Sequence, residues 1–271
     1  MKNSKQKFGP WTIVTGANSG IGAAFVNELA ARGYNIVLVG RRIDAVQKKG
    51  NELMRKYNIQ TRNVIVDLSD HDFLASIAKA TDDLDIGLLV SNAGDAAMGA
   101  LLKIELSKLK SMLKLNTQSH LELTHYFGRR FAKRGQGGII LISSTAALQG
   151  TPYIGNYAGA KAYLLNMGTA LNYEMRGTGV NVTVLLPGPT KTPGLTDKPA
   201  IPLSKLPAPV MKPAAVAKIG LKALNKNRPF VIAGRMNRMM SNFGVLIGKV
   251  KNRNMWGALI TGIVPAELKA K

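Results

Sequence analysis

The sequence predicts an α/β fold in which one parallel sheet is doubly wound, with helices on both of its faces. Three observations predict it. Short, near-continuous apolar runs alternate with helical patterns, the first run opens into a glycine-rich turn, and 46% of the 271 residues are apolar. That apolar fraction at this length is ample for one large core.

The elements follow in order. TIVTG at 12–16 is β-branched and ends in glycine, and IGAAFVNELAARG after it has helical periodicity, giving strand, turn, helix. NIVLVG at 35–40 reads as a second strand, and 43–57 as a charged helix ending before Asn58. TRNVIVDLS at 61–69 is a third strand with a helix over 70–80 behind it. IGLLVSNAG at 86–94 is a fourth, and 104–134 reads as one long helix. Strands recur at GGIILISS and VNVTVLLPG, separated by a helix. Residues 193–213 carry six prolines in 21 positions and no periodicity, so a mobile loop is expected there. A helix at 214–226 and a strand, RPFVIAG, at 228–234 complete the sheet. Residues 1–234 are thus one domain, and 235–271 a basic, apolar, helical extension of it.

Composition removes several classes of function. The absence of cysteine excludes disulfides, a thiol nucleophile and thiolate zinc sites. His71, His120 and His125 lack metal-ligand spacing and read as structural or surface residues, so no metal is expected. The basic leader MKNSKQKFGPW has no long apolar core and no apolar run reaches about 18 residues, so the expectation is a soluble, cytoplasmic protein. The net charge of +22 is uneven: residues 191–271 hold 15 Lys or Arg against Asp197 and Glu267, a balance of +13.

Two local patterns carry chemistry. In NYAGAK, Tyr157 precedes Lys161 by four residues, so on a helix the ammonium lies over the ring and stabilises phenolate. Alone, the spacing is also that of many solvated helix faces. TGANSGIG at 15–22 places Gly16, Gly20 and Gly22 where a strand enters a helix. Glycines there permit a tight turn and close approach of a pyrophosphate, which the helix N-terminus stabilises. At the end of the second strand a carboxylate would favour NAD, but Arg41 and Arg42 stand there with no acid before Asp44. Their planar forks match a phosphate, which favours NADP(H), with Arg41 the first contact and Arg42 the second.

TGANSGIG, SNAG at 91–94, ISS at 142–144 and YAGAK at 157–161, in that order, resemble the short-chain dehydrogenase/reductase family over about residues 10–234. The resemblance implies a Rossmann-type fold and a hydride-transferring oxidoreductase. It implies a catalytic set of Asn116, Ser144, Tyr157 and Lys161, with Ser144 preferred to Ser143 because it falls 13 residues before the tyrosine. Tyr157 would be the general acid and Ser144 would hold the carbonyl oxygen. Lys161 would lower the tyrosine's pKa and bond the nicotinamide ribose, and Asn116 would anchor a water near the lysine. Cofactor contacts carry over to Gly16, Asn18, Ser19, Gly20, Ile21 and Gly22, to Arg41 and Arg42, to Asp67 and Leu68, and to Asn92, Ala93 and Gly94. They carry over also to Tyr157 and Lys161, and to Pro187, Gly188, Thr190 and Thr192 of PGPTKT. Asp67 reads equally as a helix N-cap. Ser91 departs from the family's first Asn, a change expected to touch packing more than chemistry. Thr190 stands where many relatives are aliphatic.

The segments expected to choose the substrate offer Met98, Leu148, Tyr153, Leu195, Ile201 and Leu206, with Asp95 the main fixed charge, so an apolar ketone or the corresponding alcohol is expected. FGPWTIVTGANSGIG and LDIGLLVSNAG are similar to the branch that reduces very-long-chain 3-oxoacyl-CoA and steroid ketones. A homo-oligomer is expected. The rival is a cofactor-binding protein that acts through its basic surface. Nucleic acid is disfavoured because few aromatics interleave the basic residues. Met236, Met239, Met240, Phe243, Leu246, Ile247 and Val250 form a helical apolar face flanked by Arg235, Arg238, Lys249, Lys251 and Arg253. That face either packs on its own protein or lies on an anionic membrane.

Overall fold

The computed structural model describes residues 7–196 and 208–269. The strands are β1 (Trp11–Thr15), β2 (Asn35–Gly40), β3 (Thr61–Ile65), β4 (Ile86–Ser91), β5 (Gly137–Ile142), β6 (Val180–Leu186) and β7 (Phe230–Ile232). They form one sheet in the order β3-β2-β1-β4-β5-β6-β7, and every neighbouring pair is parallel. The expected doubly wound sheet is what the chain forms. The winding reverses between β1 and β4, which pair through Val14 and Val90. The crevice at that reversal, outside the strand carboxyl ends, is where such sheets bind ligands.

Alternate strand residues feed two cores. On one face Val14, Leu88, Val90 and Ile140 pack against Phe25 and Leu29 of α1 (Gly20–Ala30), Leu53 of α2 (Ile43–Tyr57) and Val216 of a later helix. On the other face Ile13, Leu89 and Leu141 meet Ile77 of α3 (Phe73–Thr81) and Phe127 of a long helix. Each fully buried Phe or Leu contributes about 1.5–3 kcal/mol from area removed from water.

The third strand stops at Ile65, where β2 runs out: Val66 N donates to Gly40 O at 3.1 Å, and the chain then turns at Asp67. Its following helix starts at Phe73 because Asp70 N closes a turn on Asp67 O at 3.0 Å. The single helix expected over 104–134 is α4 (Leu106–Leu113), a π-turn (Lys114–Gln118) and α5 (Ser119–Arg134). α6 (Gly155–Glu174) carries Tyr157 and Lys161. Of the expected loop at 193–213, Pro193–Thr196 is a short helical turn, Met211 bridges Thr190, and 197–207, with Ile201 and Leu206, lies outside the described residues. α7 (Pro213–Asn225) follows, with proline in its first turn, where a missing N–H costs nothing.

The C-terminal extension is two helices, α8 (Arg235–Leu246) and α9 (Lys249–Thr261), broken at Gly248 with φ +82°. It is tied back to the body: Asn252 Nδ2 donates to Gln149 Oε1 at 3.2 Å and Ala100 N to Leu268 O at 2.8 Å.

Candidate active site

The glycine turn lies at the carboxyl end of β1. Gly16 and Gly20 have φ of +64° and +56°, a region other residues enter at a cost. Gly22 is required for space: a Cβ there would stand 2.1 Å from Gly16 O. Ser19 is the N-cap residue of α1 but makes no side-chain cap bond, and the first turn of α1 holds no acid. Asn18 and Ile21 complete the turn. This bare helix N-terminus behind a glycine cradle fits a pyrophosphate. Across the crevice Thr192 closes on the turn, its Cγ2 only 3.0 Å from where a Gly20 Cβ would be.

The SNAG loop is fixed from two sides. Thr15 Oγ1 accepts from Asn92 N at 2.8 Å and Ala93 N at 2.9 Å, while Asn92 Nδ2 donates to Thr15 O at 2.8 Å. On the other side His120 spans Ser91 Oγ (2.7 Å) and Ala93 O (2.9 Å). A carbonyl only accepts, so Nε2 carries the proton and Nδ1 accepts from Ser91. Burial, with Lys161 nearby, pushes the imidazole pKa down to about 3, so His120 is neutral. Ser91 and His120 thus tie the SNAG loop to α5 through hydrogen bonds.

Asn116 sits in the π-turn, fully buried. Its Nδ2 donates to Asp95 O at 2.7 Å and its Oδ1 accepts from Asp95 N at 3.2 Å, so it pins the backbone after Gly94. π-turns recur at functional sites, where one extra residue re-aims a side chain. Gly94 fills the gap between Asn116 and Lys161: a Cβ there would be 2.7 Å from Asn116 Oδ1 and 3.3 Å from Lys161 Nζ. The charge of Asp95 is paired with Lys108 at 2.6 Å.

The two serines after β5 have different tasks. Ser143 is buried and donates to Lys161 O at 2.7 Å, which fixes β5 to α6. Ser144 caps a 3-10 turn, accepting from Ala146 N at 3.2 Å, and its side chain also hydrogen-bonds Tyr157. Burial raises the Tyr157 phenol above its ordinary pKa, and the bond to Ser144 partly offsets this. Lys161 is 3% exposed, lies 5.7 Å from the centre of the Tyr157 ring and donates to Ile142 O at 2.9 Å. Burial lowers its pKa to about 8. The ammonium is over the ring as the spacing predicts, but burial raises the phenol where a fall was expected.

Arg41 Nη1 pairs with Asp67 Oδ2 at 3.1 Å, and Arg42 stands exposed beside it. Asp67 Oδ1 accepts from Ser69 N at 2.8 Å and Ser69 Oγ at 2.6 Å. Burial works to raise the Asp67 pKa, but the bonds from Ser69 and Arg41 outweigh it and hold the carboxylate below its ordinary value. The helix-cap alternative for Asp67 is corrected: α3 begins six residues later, behind Asp72. The Leu68 side chain is buried in the second core. In the last loop Pro187 O accepts from Thr145 N at 2.9 Å, Thr190 is buried with Oγ1 donating to Gly188 O at 2.9 Å, and Gly188 leaves room for Asn237. Thr15, His120 and Asn237 were not assigned to the site from sequence. Thr15 precedes the first glycine of the turn, but the others lie far along the chain from their partners.

A cavity of about 720 Å³ lies between Ala100–Lys103, Pro152–Tyr153 and α9 residues from Arg253 to Thr261. It contains none of the four candidate catalytic residues, so it flanks the chemistry. Tyr153, φ +64°, is held in that strained conformation partly by Gly99 N, which donates to its carbonyl at 2.8 Å.

The family model described as short chain dehydrogenase matches residues 10–200. The chain belongs to the short-chain dehydrogenase/reductase family. A 7beta-hydroxysteroid dehydrogenase of Clostridium sardiniense is 35% identical over 237 residues, 87% of this chain and 90% of its own. A solved 7beta-hydroxysteroid dehydrogenase superposes with a TM-score of 0.85 at 29% identity, covering 93% of this chain and 98% of that one. A short-chain dehydrogenase from Sphingobium yanoikuyae in complex with NADPH does so with 0.79 at 26%, covering 95% and 97%. This short-chain dehydrogenase therefore lies near the hydroxysteroid dehydrogenase branch, and its chemistry is oxidoreduction at carbonyl and alcohol groups.

Proposed function

We propose that this enzyme is an NADPH-dependent reductase of a bulky apolar ketone, run in the reductive direction by Tyr157. The observation that carries the reading is the Ser144–Tyr157–Lys161 set at the crevice. A phenol pushed up by burial holds its proton at neutral pH, so Tyr157 can give it to a carbonyl oxygen as negative charge develops there. Ser144, already bonded to the phenol, donates to that same oxygen and holds it in place. Lys161, with a pKa of about 8, is mostly cationic at pH 7 and stabilises the phenolate left behind. The bound nicotinamide supplies the hydride. The turn from Gly16 to Gly22, the SNAG loop and Thr192 would hold it, and Arg41 and Arg42 would read a ribose phosphate.

The similarity to hydroxysteroid dehydrogenases supports a fused-ring or comparably bulky ketone, as do the apolar residues expected to choose the substrate, Met98, Leu148, Tyr153 and Leu195. A cytoplasmic homo-oligomer fits the same reading, supported by exposed Leu113, Leu121 and Tyr163 on α4–α6. The test is NADPH consumption with ketones of increasing bulk, set beside light scattering for the assembly. Turnover of small polar ketones in preference to bulky apolar ones overturns the substrate assignment.

A further inference from the structure

Helix α8 and the start of α9 have a polarity opposite to that of a packed element. Their buried positions include Asn237, Gly244 and Asn252, and Asn237 Nδ2 spends its bond on Ala233 O at 2.8 Å. Most of the large apolar side chains of α8 and the start of α9 point outward: Met236, Met239, Phe243 and Val250 are exposed, Val245 is 75% exposed and Leu246 84%, while Met240, Ile247, Met255 and Trp256 are half-buried and Ile260 is buried. Beside α9, sharing its cavity, is the loop tip Leu101–Leu102, where Leu102 is 98% exposed. Exposed apolar area of this extent on one element marks a contact surface.

The charge of the same element selects the occupant. Residues 235–261 hold Arg235, Arg238, Lys249, Lys251 and Arg253 and no Asp or Glu. All five are exposed, and none makes an ion pair among the described residues, whereas Arg32, Arg41, Arg62, Arg130 and Arg134 each pair with a carboxylate. A second copy docked face to face would set these cations against their own images. A nucleic-acid backbone would satisfy the cations but leave Met239, Val245 and Leu246 in water. An anionic bilayer satisfies both, with hydrocarbon for the apolar face and phosphates for the cations. Among the described residues no helix is long and apolar enough to cross a membrane, so the element would lie on the surface.

We propose that α8–α9, with the Leu101–Leu102 tip, docks this enzyme on an anionic membrane surface, with the cavity beside α9 close to the lipid. The docking does not depend on which ketone is reduced. The test is co-sedimentation of the full chain with vesicles of phosphatidylglycerol and phosphatidylcholine, and with phosphatidylcholine alone. Wild type is expected to partition at least tenfold better onto the anionic vesicles. Arg238→Glu/Lys249→Glu/Lys251→Glu and Phe243→Ser/Leu246→Ser are each expected to lose at least tenfold while keeping the wild-type melting temperature. If either combination fails to fold, Lys251→Glu and Leu246→Ser singly, both at exposed positions, are expected to give smaller losses in the same direction. No preference for anionic vesicles overturns the proposal, as does unchanged binding by folded variants of either kind. A dimer that Phe243→Ser/Leu246→Ser converts to monomer, without vesicle binding by wild type, assigns the face to a second copy instead.

Discussion

Replacing Lys161 by methionine removes a buried cation while keeping most of its volume, and its effect on stability is set by proton linkage. The lysine's pKa falls from 10.5 to about 8 on folding because burial penalises the charged form. Below pH 8 both states hold the proton, and the folded state bears the full cost of burying it. Between about 8 and 10.5 the unfolded chain binds more protons than the folded one, so stability rises with pH. A shift of that size corresponds to about 3 kcal/mol, of which about 2–3 is regained by pH 10. Methionine leaves Ile142 O without its 2.9 Å donor, a cost of about 1–3 kcal/mol that does not vary with pH. Urea unfolding of both proteins from pH 7 to pH 9.5 measures the difference, a window that stays below the raised titration of Tyr157. The wild type should gain on the variant steadily above pH 8. Parallel curves would mean that Lys161 is not a desolvated cation in the folded protein, and the reasoning about Tyr157 would fail with it.

Two other substitutions test the cofactor crevice. Arg41→Ala should weaken NADPH at least tenfold, about 1.4 kcal/mol, and leave NADH little changed by titration calorimetry, since the guanidinium would read the phosphate. An equal loss for both cofactors would place Arg41 outside that role. Gly22→Ala should abolish measurable cofactor binding, because its Cβ would need the 2.1 Å it lacks against Gly16 O and the turn must move. Wild-type affinity in that variant would show that the turn is not the cradle.

The central strands were legible because burial on both faces forces continuous apolar runs, and the glycine turn because Gly16 and Gly20 report backbone angles directly. Tyr157 and Lys161 were legible as a spaced pair on one helix, but their catalytic reading, and the choice of Ser144, came from the resemblance of the ordered motifs to the family. The π-turn at Asn116 was not, since one extra residue in a helical ladder leaves the apolar periodicity of 104–134 almost unchanged. Ser91 and His120 meet across 29 positions, a contact that no local pattern encodes. The break at Gly248 was missed because an isolated glycine is tolerated within helices. Periodicity found the apolar face of the C-terminal segment but not its direction. It cannot tell that Asn237 turns inward while Phe243 turns outward.

The most direct test of the central claim is Tyr157→Phe, with NADPH affinity and ketone turnover measured on the same preparation. General acid catalysis is worth roughly a hundredfold to ten-thousandfold, so turnover of the best bulky ketone should fall by at least a hundredfold. NADPH affinity and melting temperature should stay near wild type, because Phe keeps the ring that packs over Lys161. A variant that still reduces that ketone at the wild-type rate would contradict the assignment of Tyr157 as the acid.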